Sequence, residues 1–342
     1  MAIAEEVREQ AEPGAGRTRR ARPSARLTGR RLLAAIPVLW GVTFLTYVVM
    51  NLLPGDAAQE LLGANATPAQ VHQLEIQLHL NEPFWVRYGG WLGGLLHGDL
   101  GTSLASRENV TTILGQRLPV TAELLLYAFA GSIVFAVGLA VLAARKPNGI
   151  ADRISMVVSM TGLSIAPYVL ALVLIYIFAV KLQVFPAIGY TPLTASPDAN
   201  IRSLTLPAIA IGFPLFSVYT RLLRADIVEQ MQREDYIVTA RAKGVSPWRV
   251  LIRHALPNSL FGLITLVALN LGTLVGAVAI IEPIFSLPGV GAILIQSITD
   301  HDVPVVEGIV VVFAVVVVLA GLLADLLYAV LDPRIRYERA AS

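Results

Sequence analysis

Six stretches of this chain are long and apolar enough to cross a hydrocarbon layer: about residues 32–53, 118–144, 154–180, 203–220, 259–281 and 305–328. A helix needs roughly 20 residues to span a core roughly 30 Å thick, and in lipid it must satisfy its own backbone polar groups. The first, third, fourth and fifth stretches contain no Asp, Glu or Arg. With 55% hydrophobic residues, 15% charged residues and a mean hydropathy of +0.67, the chain is too apolar for a soluble domain that hides its side chains in one core. The expected fold class is all-α, a polytopic membrane protein with about six transmembrane helices. The fourth stretch is short and interrupted by Pro207 and Pro214. Neighbouring helices can re-satisfy carbonyls that proline frees, so it reads as a kinked span.

Basic residues give the orientation. The N-terminal tail, the 145–153 and 221–253 connections and the C-terminus carry 21 Lys and Arg, against 5 in the other connections. Both termini are therefore expected in the cytosol. The first span has 22 uncharged residues and no small-residue cleavage pattern after Leu53, so it reads as a retained anchor rather than a signal peptide. The expected organisation is a disordered basic tail at 1–30, an anchor at 31–53 and an extracytoplasmic helical segment at 54–117. A helical membrane core at 118–331, with a cytosolic loop at 221–257, and a cytosolic tail at 332–342 complete it. Arg17, Arg19, Arg20, Arg22 and Arg26 in the first tail are placed to meet anionic headgroups.

The outer segment has room for a small helical lobe. Thr67-Pro68 opens a helix with an apolar stripe at Val71, Leu74 and Leu78, and Trp85, Tyr88 and Trp91 among glycines suggest a piece lying along the membrane interface. His72 and His79 stand seven apart, which is not the spacing that lets two imidazoles converge on one metal ion. Asp300-His301-Asp302 reads as a solvated turn.

Several mechanisms are excluded. The chain has no cysteine, hence no disulfide, thiolate metal site or cysteine nucleophile. Its lysines, Lys146, Lys181 and Lys243, are followed by Pro, Leu and Gly, so no phosphate-cradling loop with Lys and Ser or Thr exists. No two histidines stand four apart with a glutamate as a metalloprotease requires. No catalytic residue and no nucleic-acid partner is expected. An ion-coupled transporter, the remote alternative, would carry ionisable groups at mid-membrane. Here Glu123, Glu282, Glu307 and Asp325 all lie within a few residues of a span's end and read as interfacial. Glu123 and Asn270, with backbone at Pro207 and Pro214, are the candidates for a substrate pathway. Gly272 and Gly276 have the spacing of close helix packing.

The most informative polar stretch lies between the fourth and fifth spans. It contains Asp235, Tyr236, Thr239, Ala240, Arg241, Ala242, Lys243 and Gly244, then Val245, Trp248, Arg249, and finally Leu256-Pro257 and Asn258. A basic, partly amphipathic helix is expected to break at Gly244, restart after Pro247 and end at Leu256-Pro257, forming a rigid protrusion.

With this topology, the chain resembles the inner-membrane permease subunits of ABC importers, in the dipeptide/oligopeptide/nickel family. The 235–244 stretch with His254-Ala255-Leu256 and Asn258 carries the likeness, as do Leu53-Pro54-Gly55-Asp56, His97-Gly98-Asp99-Leu100-Gly101 and Ser103. Glu282, Ile284-Phe285-Ser286, Pro288-Gly289 and Gly291, then Pro304-Val305-Val306 with Gly308, and Asp332-Pro333-Arg334-Ile335-Arg336, extend it from about residue 28 to 337. The glutamate of the broader importer motif is missing: Val238-Thr239-Ala240 stands where Glu-Ala-Ala is usual.

The resemblance implies type I importer permease architecture in the bacterial cytoplasmic membrane. It implies a second homologous permease subunit, two cytosolic ABC ATPase subunits and an extracytoplasmic substrate-binding protein. ATP and Mg would be held by the ATPases and no cofactor by this chain. The expected function is import of short peptides, with nickel chelates or glutathione as alternatives. Asp235, Tyr236, Thr239, Ala240, Arg241, Ala242, Lys243, Gly244, Trp248, Leu256 and Pro257 would couple the pore to the ATPase, with Tyr236, Ala240, Val245 and Trp248 packing against it.

Overall fold

A computed structural model describes residues 25–52, 57–62, 66–77, 80–270 and 272–331 of the chain. In chain order the helices are α1 (Ala25–Leu52), α2 (Ala57–Leu62), α3 (Pro68–Gln77), α4 (Phe84–Leu96), α5 (Val110–Arg145) and α6 (Ile150–Ser164). There follow α7 (Pro167–Leu174, continued by a π turn Ile175–Lys181), α8 (Pro197–Arg233), α9 (Asp235–Ala242) and α10 (Pro247–Val250, continued by a π turn Leu251–Ala255). The last are α11 (Leu256–Asn270), α12 (Thr273–Ile284), α13 (Val290–Thr299) and α14 (Val303–Leu331). No strand occurs among the described residues, where a bridge between Thr102 and Asn109 pins one turn.

Among the described residues five runs are long and apolar enough to span a membrane: Leu33–Leu52, Val110–Arg145, Pro197–Arg233, Pro247–Val267 and Val303–Ala324. The α6–α7 pair makes a sixth when taken as one broken span. The core is built on α5 and α8. Ala128, Ala136, Ala140 and Ala144 are buried on α5 and give α8 a shallow surface to lie against. Gly212 on α8 sits so close that an added Cβ would stand 2.7 Å from the carbonyl oxygen of Ala128. Such proximity maximises van der Waals contact where lipid supplies no hydrophobic driving force between helices. Tyr219, Leu204, Leu206, Leu223 and Ile227 are fully buried along the rest of α8.

Several expectations need correction. The fourth span is not a short run but part of a 37-residue helix that continues across Pro207 and Pro214. Packing around α8 holds the backbone helical despite the lost N–H groups. The third span is not straight: α6 and α7 meet at 110°. The cause is Pro167 at the start of α7, whose ring disfavours helical geometry at the residue before it; Ala166 takes φ −65°, ψ 139°. The fifth stretch is divided between α11 and α12. Its small residues differ: a Cβ on Gly276 would meet nothing within 4 Å, whereas one on Gly272 would touch Val317 at 3.5 Å and one on Gly262 would stand 2.7 Å from Asp226 Oδ2. The second span starts at Val110 rather than about 118, and residues 25–30, expected in the tail, are helical.

Thr67 and Gln70 cap α3 reciprocally: Thr67 N–H donates to Gln70 Oε1 at 2.9 Å and Gln70 N–H to Thr67 Oγ1 at 3.4 Å. The aromatic segment folds back on the first span. Tyr88 of α4 stacks edge-on against Phe44 of α1 and shares a 3.0 Å hydrogen bond with Thr43, while Trp85 stays exposed. Residues 1–24, Leu53-Pro54-Gly55-Asp56, Leu78, His79 and 332–342, and the side chain of Asp325, lie outside the described residues.

Candidate functional site

The 234–258 stretch forms a bent lever. Glu234 is extended and starts α9; Lys243 ends it, and Gly244 at φ +78° turns the chain. Only a residue without Cβ adopts that conformation at little cost. Val245 N–H returns to Ala240 C=O at 3.2 Å, and Pro247 stands at the first position of α10, where its fixed φ suits a helix start. The helix does not end at Leu256-Pro257 as expected. It continues into α11 through the π turn Leu251–Ala255. Pro257 lacks an N–H and its ring crowds the carbonyl four residues back; widening the turn just before it relieves that clash without breaking the helix.

Four contacts tie the lever to the bundle. Asn258 Nδ2 donates to Tyr236 Oη at 2.9 Å, and the Tyr236 hydroxyl donates to Gln230 Oε1, linking α9 to both α11 and α8. Arg241 Nη2 donates to Met231 C=O at 3.0 Å. The Arg145 guanidinium, at the end of α5, lies 5.5 Å from the Trp248 ring centroid. Among the predicted residues, Asp235, Thr239, Arg241, Ala242, Lys243, Gly244 and Trp248 are exposed, as are Val238 and Pro257. Ala240 is buried against its own chain, and Tyr236, Val245 and Leu256 are half-buried. The expected outward packing by Tyr236 and Ala240 is therefore corrected: helical periodicity turns them inward beside Ile237, leaving Val238, Trp248 and Ile252 among the exposed apolar groups.

Sequence reasoning missed a clamp at the same end of the bundle. Arg224 of α8 grips Asp152 of α6 bidentately, Nε to Oδ1 and Nη2 to Oδ2, both at 2.8 Å. Asn148 N–H donates to Asp152 Oδ2 at 2.8 Å, so the wholly buried carboxylate also fixes the 146–149 turn. Arg224 had weight only in the tally of basic residues; nothing local in sequence pairs it with a residue 72 positions away.

The other end of α5 lies about 50 Å away at 1.5 Å per residue. There Glu282 and Glu307, two of the acids placed near span ends, are built into the fold. Glu282 is fully buried. It accepts from Thr121 Oγ1 at 2.6 Å and from the N–H groups of Gly291 and Ala292 at 2.8 and 3.1 Å, anchoring the first turn of α13. Thr121 in turn accepts from Val290 N–H at 2.9 Å. Glu307 is fully buried too, with neither oxygen hydrogen-bonded among the described residues. Asp302 is no solvated group either. Buried, it accepts from Ser103 Oγ at 2.5 Å and from Leu104 and Ala105 N–H at 3.0 and 3.3 Å.

Glu123 is half-buried on α5. Its Oε2 accepts from Tyr190 Oη and Asn200 Nδ2, each at 2.9 Å. Asn200, fully buried, also donates to Thr191 C=O at 2.8 Å and accepts from Tyr127 Oη at 2.9 Å. Burial, with the Glu123 carboxylate second, pushes the Tyr190 phenol up to about 12, so it stays a neutral donor. The other pathway candidates do not join this group. Pro207 is buried, Pro214 is half-buried, and Asn270 donates to Leu266 C=O at 2.9 Å in its own helix and lies against Tyr219 of α8.

The sequence profile described as "Binding-protein-dependent transport system inner membrane component" matches residues 136–337, and the N-terminal profile of the same component matches 25–125. A Brucella abortus protein named as a peptide transport system permease is 38% identical over 309 residues, covering 90% of this chain and 98% of its own. The dipeptide transport system permease protein of Alkalihalophilus pseudofirmus is 37% identical over 328 residues with the same coverage. The glutathione transport system permease protein of Pectobacterium atrosepticum is 35% identical over 309 residues, again covering 90% and 98%. The chain therefore belongs to the inner-membrane components of binding-protein-dependent transport systems, a multi-pass transport subunit of the cytoplasmic membrane rather than an enzyme.

Proposed function

We propose that this chain forms one half of the pore of an ATP-driven importer that carries short peptides into the cell. The lever of α9 and α10 docks into a groove on an ABC ATPase. A second homologous permease completes the pore, two ATPases sit beneath it, and an extracytoplasmic binding protein delivers the peptide. The ATPases hold ATP and Mg. Both termini, the 146–149 turn and the lever face the cytosol.

The observation that carries this reading is the lever's attachment. A protruding helix transmits force only if its joint is stiff, and this one is tied to α5, α8 and α11 through Trp248, Tyr236 and Arg241. Its outer face offers Val238 and Trp248 for packing and Arg241, Lys243 and Arg249 for charge, a helix-in-groove pattern. Closure of the ATPases around nucleotide pulls on this face and biases the spans toward one state, which requires unequal nucleotide affinity for the two.

Gly244→Val provides the test. Uptake of labelled di- and tripeptides by the reconstituted complex should be abolished while membrane insertion is normal. Full uptake by that variant, or uptake without nucleotide, would defeat the reading. The glutathione-named relative supports a second solute, so labelled glutathione belongs in the same assay.

A further inference from the structure

We propose that Glu123 binds a primary ammonium group of the solute in transit, in the first place the α-ammonium of a peptide. This rests on the peptide-import reading and names one contact within it.

The carboxylate is positioned from three sides, by α5 itself, by Tyr190 in the connection after α7 and by Asn200 at the start of α8. Asn200 is fixed in turn by Tyr127 and Thr191. All of these partners are neutral, and no Lys or Arg pairs with Glu123 among the described residues. Only Oε2 is used. Oε1 takes no hydrogen bond from a described residue and is not sealed within the chain. The contrast with Glu282 is informative. There both oxygens are taken up by the fold, as a structural carboxylate requires.

A carboxylate within a membrane span is costly and calls for a positive partner. Neutral donors orient Glu123 without cancelling its charge. An ammonium arriving at Oε1 supplies the missing charge, makes a charge-assisted hydrogen bond and meets phenol groups that favour a cation. The site lies about 33 Å along α5 from Arg145, well away from the lever.

Glu123→Gln separates this role from simple tethering. The amide keeps an oxygen for Tyr190 and Asn200 and removes only the charge. ATP-driven uptake by the reconstituted complex is measured for three labelled peptides: one with a free N-terminus and no lysine, its N-acetylated form, and an N-acetylated lysine peptide. Uptake of the first should fall about tenfold, the worth of one hydrogen bond to a charged group, with the second unchanged. A fall for the third as well shows that a lysine side chain is an equally good source of the ammonium. As a second measurement, a carbodiimide added during turnover should couple the free-amine peptide to Glu123, detected by mass spectrometry. Equal losses for all three peptides, unchanged uptake of the first, or no adduct at Glu123 would overturn the proposal. A wild-type complex that imports no peptide overturns the substrate reading, and the ammonium site with it.

Discussion

The two ends of the bundle handle polar residues in opposite ways. At the α13 end, Glu282 and Asp302 are buried and each accepts several hydrogen bonds, so they act as internal anchors for short irregular segments. At the lever end most charged groups are exposed, and α9 and α10 are held by buried Ile237, Ala240 and Val250 and a few half-buried polar contacts. Asp152 with Arg224 is the exception, gripping the turn beside the lever. One end is built to keep its shape. The other keeps a rigid local shape while presenting its surface to something else.

Glycines break the contrast most sharply. A Cβ on Gly291 would lie 2.7 Å from the backbone of Ala279, where nothing flexible can yield. Gly291→Leu should therefore cost about 3 kcal/mol or more, read as a collapse in the yield of folded protein or its melting midpoint in detergent. Asp152→Ala is next, at about 3 kcal/mol, because Arg224 and Asn148 N–H lose their shared partner in a buried place. Thermal melting of the purified chain measures it.

Gly244→Val has open space around it but a left-handed backbone, so its stability cost should be only about 1–2 kcal/mol. The larger effect is on uptake, and the gap between the two readouts is the signature of a lever. Tyr236→Phe removes the hydroxyl that joins Gln230 to Asn258; about 1 kcal/mol and a lower ratio of peptide moved to ATP hydrolysed are expected. The smallest effect belongs to Arg233→Ala. Its pair with Glu229 is exposed on both sides, and the melting midpoint should move by no more than about 0.5 kcal/mol allows.

Much of the architecture was legible in the sequence because hydrophobic length is a property of contiguous segments. The turn at Gly244 and the restart at Pro247 were legible for a similar reason, since both residues act on the backbone locally. The direction of Tyr236 and Ala240 was misjudged. An eight-residue helix with mixed faces does not reveal which side meets its own chain. That the acids near span ends are buried and hydrogen-bonded was not legible, because sequence distance from a span end says nothing about an opposing segment. Thr121 and Glu282 are 161 residues apart, and Ser103 and Asp302 are 199 apart.

By itself, then, the sequence determined a helical membrane protein with a bent basic lever, because apolar length, charge bias, glycine and proline act over neighbouring residues. Only the tertiary structure decided which carboxylates are anchors and which retains a free oxygen. A carboxylate's role depends on the donors that surround it, and those donors reach Glu123, Asp152, Glu282 and Asp302 from distant parts of the chain.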